Sequence, residues 1–177
     1  MSDNHVEKIS QTLFTQSRFH VYAVLDGASI PDLLMKLYNE KPDYFCLYRG
    51  ELEPDMEEIA PYMIRLEPDT SFTNWLLKEG WGQHWGIFAF SKRSPRTIRK
   101  HFRSFMIVHD GDGKPFYFRY YDPRVLRRYL PTCNDDDLKI IFGPVDSYFI
   151  EAEKAQTLLQ FRNNDGTLEQ NEIQLTS

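Results

Sequence analysis

The stretch His20–Tyr48, HVYAVLDGASIPDLLMKLYNEKPDYFCLY, decides the fold class. Its opening run, His20 to Asp26, is β-rich and apolar, ends at the turn pair Asp26-Gly27, and reads as a buried strand. Ser29-Ile30-Pro31-Asp32 then offers an N-cap, a first-turn proline and an acid three residues after the cap, so a helix is predicted to start there. Leu33, Leu34, Leu37 and Tyr38 recur along it at helical spacing, and Lys41-Pro42 stops it before a short strand, Tyr44 to Tyr48. The result is a strand, helix, strand unit.

Outward from that unit, Pro54 and Pro61 punctuate a helical turn at Asp55 to Ala60 and an extended piece at Tyr62 to Leu66. Thr70 or Ser71 caps a helix through Phe72, Trp75, Leu76 and Leu77, with Gly80 expected as a left-handed C-cap. Trp81 to Gly86, WGQHWG, leads into a strand at Ile87 to Phe90, its glycines suggesting close backbone approach. Ser94-Pro95 opens a helix with Ile98, Phe102 and Phe105 on one side and Arg96, Arg99, Lys100 and Arg103 on the other, where they should face water or a partner. Met106 to His109 and Pro115 to Tyr121 should form an antiparallel hairpin around Asp110 to Gly113. Aromatic residues on both alternating faces of Phe116 to Tyr121 predict a strand covered on both sides. Arg119 would then be an enclosed charge in need of a carboxylate, and Asp26 is the leading candidate. Asp122-Pro123 starts another amphipathic helix, Thr132 to Asp135 fits a capping box for one closed by Gly143-Pro144, and strands follow at Val145 to Glu151 and Gln156 to Arg162.

The expectation is one α/β domain with a mixed sheet, partly parallel and containing one antiparallel hairpin, with helices on both faces. Within it, 1–19 reads as an N-terminal extension, 20–151 as the main domain and 152–177 as a C-terminal strand and polar tail. A chain of 177 residues, 41% hydrophobic and with 26 aromatics, is one domain with material for a core, which argues against disorder. No apolar run approaches the ~18 residues needed to cross a bilayer. Met1 to Ser10 carries Asp3, Glu7 and Lys8 where a signal peptide would be apolar, so a cytoplasmic location without membrane contact is expected.

The net charge of −5 hides segments of −7 (1–90), +8 (91–130) and −6 (131–177). Acidic flanks and a pI near 5.5 make the basic block a match for carboxylates or an acidic protein rather than nucleic acid. Glu51, Glu53, Asp55, Glu57 and Glu58 read as a solvated acidic surface. Phosphate-cradling glycine motifs and a G-x-S-x-G elbow are absent. Cys46 and Cys133 suggest neither a disulfide framework nor a zinc site, and His84, His101 and His109 lack metal-ligand spacing. The match of Phe161 to Glu172 to a calcium loop fails at its first position, so Asp165-Gly166 reads as an ordinary turn. No cofactor, metal or catalytic residue is expected.

The blocks Tyr22–Ala28, Cys46–Gly50, Ala60–Tyr62, Trp75–Leu77, Gly80–Gly86, Phe118–Arg124 and Leu130–Cys133, in this order and spacing, resemble the type VI secretion adaptor (Tap) family over about 20–151. The resemblance implies a bacterial adaptor and chaperone, not an enzyme, that binds a toxic effector and loads it onto the VgrG spike. Arg119, Asp122 and Arg124 fit that family's R-x-x-D-P-R block and, with Asp26, are expected to be structural. Arg96, Lys100 and Arg103, together with Trp81, His84 and Trp85, are the candidate partner-binding residues. The rival reading is a small hydrolase or nucleotide-binding enzyme with a dispersed site, which a perturbed carboxylate or histidine in a deep pocket beside Arg119 would favour.

Overall fold

The first strand, β1 (His20–Asp26), is buried on both faces, which is why its sequence is continuously apolar instead of alternating. Val21, Ala23 and Leu25 enter one core, Tyr22 and Val24 the other. Residues 3–175 are described by the structure, a computed structural model. Around β1 lie β2 (Asp43–Cys46), β3 (Pro61–Leu66), β4 (Gly86–Ser91), β7 (Ser147–Glu151), β8 (Thr157–Asn164) and β9 (Thr167–Gln174), in the order β2-β3-β1-β4-β7-β8-β9. A separate hairpin joins β5 (Ile107–His109) to β6 (Pro115–Tyr117).

Every ladder is antiparallel, so the expected partly parallel sheet is not what the chain forms. The strand, helix, strand unit does exist: β1, α2 (Leu33–Glu40) and β2 follow one another, and β2 returns in the direction of β1. Yet β3 slots between them, antiparallel to both. In the same way β3, α4 (Ser71–Gly80) and β4 straddle β1. The first four strands thus form a split β-α-β-β-α-β arrangement, which β7, β8 and β9 extend along one edge.

Helices cover both faces. On one, α1 (Asp3–Phe14) contributes Ile9 and Leu13, α2 Leu33 and Leu37, and α4 Phe72, Leu76 and Leu77. On the other, α5 (Pro95–Ser104) contributes Ile98 and Phe102, α6 (Pro123–Tyr129) Leu126, and α7 (Asp135–Phe142) Leu138, Ile141 and Phe142. Residues 3–14, at the N-terminal end, therefore share the first core.

Several local expectations are corrected. Residues 27–29 form a 3-10 turn capped by Asp26, and α2 begins only at Leu33, after Asp32 at φ +58°. Gly80 is the last helical residue, not a left-handed cap; a side chain there would strike the Trp85 ring, 2.6 Å from the Cβ position. The capping box of α7 is Asn134 with Asp137. Strand β6 ends at Tyr117, and Phe116 and Tyr117 are exposed, not covered. The C-terminal part adds a second strand, β9, where a polar tail was expected, turning through Asp165 and Gly166, both at positive φ as a type I′ hairpin requires.

Candidate functional site

The antiparallel order sets the ends of β1, β2 and β7 beside the starts of β3 and β4, and at this end of the sheet most of the sequence blocks meet. Asp26, at the end of β1, is buried, and its carboxylate accepts from Ala28 N (3.2 Å), Ser29 Oγ (2.8 Å) and the Arg119 guanidinium. The pairing of Asp26 with Arg119 is the one expected from sequence. Arg119, however, is not enclosed: its side chain is 48% exposed. Some burial opposes its charge, but the Asp26 carboxylate outweighs that and raises its pKa.

Three residues on, Asp122 caps α6 through Arg124 N (2.9 Å) and takes a two-pronged bond from the Arg124 side chain at 3.0 and 2.7 Å. Burial disfavours the Asp122 carboxylate, yet the Arg124 bonds prevail and hold it below the ordinary carboxylate range. Glu151, at the end of β7, is also buried; it accepts from Gly82 N (2.7 Å) and pairs with His84 Nδ1. Trp81 is buried beside it and donates Nε1–H to the Ala155 carbonyl at 2.7 Å. Trp85 is half-buried against Trp75, ring centroids 5.2 Å apart. Gly86 starts β4 so close to β1 that a Cβ would lie 2.2 Å from the Val24 carbonyl oxygen. The aromatic-glycine block is thus a clamp between α4, β1 and β7.

On α5 the predicted basic side is divided. Arg96 and Lys100 are exposed. Arg103 turns back and donates to the carbonyls of Leu47 and Cys46, both at 3.0 Å, while Arg99 donates to Cys46 O at 3.3 Å. These arginines therefore fasten the loop after β2. Burial lowers the pKa of His101 on the same helix, and its ring nitrogen Nε2 donates to the Ile141 carbonyl at 2.9 Å.

Beside the Asp26 cluster opens a groove of about 640 Å³ between the 27–29 turn, α2 and the short helix α3 (Pro54–Ile59). Asp26 shapes its floor by holding Ala28 and Ser29. Gly27 admits α3 closely: its N–H donates to Ala60 O at 3.2 Å, and a Cβ would sit 2.3 Å from that oxygen. Tyr62 Oη donates to Glu57 O at 2.9 Å, tying down the other end of the same contact. The rim exposes Met35 (63%), Tyr38 (73%) and Ile59 (45%). Sequence reading missed this groove; its only local sign was Met56 and Ile59 inside an acidic run.

Among the described residues no group of three or more His, Cys, Asp or Glu side chains is placed to hold a metal ion, and no helix is long and apolar enough to cross a membrane. No curated protein and no solved structure matches the chain. The family model described as "Domain of unknown function (DUF4123)" matches residues 21–139, a span that takes in β1, the aromatic-glycine block and the Arg119 to Arg124 block, and the chain belongs to that family.

Proposed function

We propose that this protein is a type VI secretion adaptor and chaperone, holding a toxic effector and passing it to the VgrG spike, and that it is not an enzyme. One observation carries this reading: the motif carboxylates Asp26 and Asp122, and the buried Glu151 that holds the aromatic-glycine block, are each occupied by donors of the same chain, while large apolar side chains stand free on the neighbouring rim. Saturated carboxylates are poor general acids or bases, and free apolar surface beside them suits a protein partner. Membership of the DUF4123 family is compatible with this role.

Size allows it. The chain exposes 9791 Å², and a standard interface takes roughly 800 Å² from each partner, so an effector and a spike can be held together. Arg96 and Lys100 on α5 supply a basic surface for one of them, without Arg103. The test is co-purification of the full chain with the effector and spike proteins encoded beside it. A stable complex with either supports the adaptor; turnover of a small molecule lost on replacing a single side chain would replace it with an enzyme.

A further inference from the structure

Helix α3 is unusual in having no buried residue. Short helices normally persist because an apolar face packs on the rest of the protein. Here the segment is held by its backbone instead, through Tyr62 Oη to Glu57 O and Gly27 N to Ala60 O. All of its side chains are thereby presented outward, among them Met56 (38% exposed) and Ile59 (45%).

Grooves of mixed polar and apolar lining lie on both sides of this helix. The larger one faces α2, with Met35, Tyr38 and Ile59 on its rim; a second, of about 390 Å³, includes Met56, Leu52 and Tyr117. Charge selects what fits the larger. Among the described residues, the only charged ones lining it are Asp32 and Glu58, both acidic, and Asp55 and Glu57 extend the same sign along α3. Among the described residues none of these four carboxylates forms an ion pair. The acidic run borders a partly apolar trough and, among the described residues, is not ion-paired.

We propose that the groove between α2 and α3 receives a short amphipathic segment of a partner protein, its apolar side chains set between Tyr38 and Ile59 and its flanking lysines or arginines against Asp32, Asp55, Glu57 and Glu58. This rests on the adaptor reading for the identity of the partner and adds the surface and the chemistry of the contact. Helix-in-groove docking uses apolar anchors of this kind, and the charge rim sets orientation and rate of encounter.

The experiment uses the full chain and a synthetic 14-residue helical peptide of leucine and lysine with leucines on one face, beside a counterpart carrying glutamate for lysine. The expected result is saturable binding of the lysine peptide, with amide shifts changing at 27–38 and 54–59. Tyr38→Ser combined with Ile59→Ser, or Asp55→Lys combined with Glu58→Lys, should weaken it about tenfold or more. Equal binding of both peptides, shift changes confined to other surfaces, or a self-association abolished by Tyr38→Ser would overturn the proposal, the last by making a second copy the occupant. Capture of the neighbouring effector or spike protein separates the two readings. If the wild type captures neither, the adaptor reading falls and the peptide result still decides the groove. If the wild type captures one and the groove variants do so equally, the groove falls and the adaptor stands.

Discussion

The Asp26 to Glu151 cluster and the α2–α3 groove lie side by side at one end of the sheet and are built on opposite principles. In the cluster, buried carboxylates are matched by backbone N–H groups, a hydroxyl and guanidinium or imidazole donors. In the groove, a helix tied down by its backbone leaves methionine and isoleucine side chains exposed and carboxylates that, among the described residues, form no ion pair. The residues that make the sequence recognisable are mostly those that satisfy one another. The residues free to bind are ordinary in sequence and distinguished only by what the cluster does to the backbone beneath them.

If that contrast holds, substitutions in the cluster cost stability and those in the groove do not. Glu151→Ala removes the acceptor of Gly82 N and the partner of His84, and should lower unfolding stability by about 3 kcal/mol in denaturant titration; a loss under about 1 kcal/mol would break the comparison. The Asp26 pair should be lopsided. Asp26→Ala strands the donors on Ala28 and Ser29 and should cost about 2 to 3 kcal/mol, whereas Arg119→Ala, which leaves a half-exposed position and an Asp26 still holding two donors, should cost about 1 kcal/mol or less.

Acid should act selectively. A carboxyl whose folded pKa is depressed binds fewer protons folded than unfolded, so its contribution is full above the unfolded value and lost as pH falls through the folded one. For Asp122, held down by Arg124, the loss begins near the unfolded value of about 3.9 and continues below it. Stability measured from pH 6 to 2 should show this decline, and Asp122→Asn should flatten it. The smallest effect belongs to the groove: Tyr38→Ser or Ile59→Ser should shift stability by no more than about 0.5 kcal/mol while changing partner capture.

Sequence legibility followed the range of the interaction. Strand β1 and the apolar side of α5 were readable because periodicity is local, and the Asp26 to Arg119 pair was named correctly although the enclosure it was argued from is absent, Arg119 being half-exposed. Strand pairing was not, since nothing within His20–Tyr48 announces that β3 will lie between its two strands. A helical wheel places the Cα of Arg103 outward but says nothing of a long stem that bends back to carbonyls of the loop after β2. Strand β9 did carry a signal, the Asp165-Gly166 hairpin turn, outweighed in reading by its polar composition. The groove was illegible because it is made by Gly27, Ala60 and Tyr62 fixing a backbone, not by any periodic pattern.

The interlocking of the two split units also bears on how the chain is made. Val21 pairs with Leu66 on one side and Phe90 on the other, so β1 finds neither neighbour during synthesis until much later residues have followed. Until β4 is out, one edge of β1 stays unpaired, and Tyr22 and Val24 wait longer still, because α5, α6 and α7, which cover their face, follow β4 in the chain. Synthesis must run through β4 before β1 is paired on both edges, and through α7 before its second face is covered.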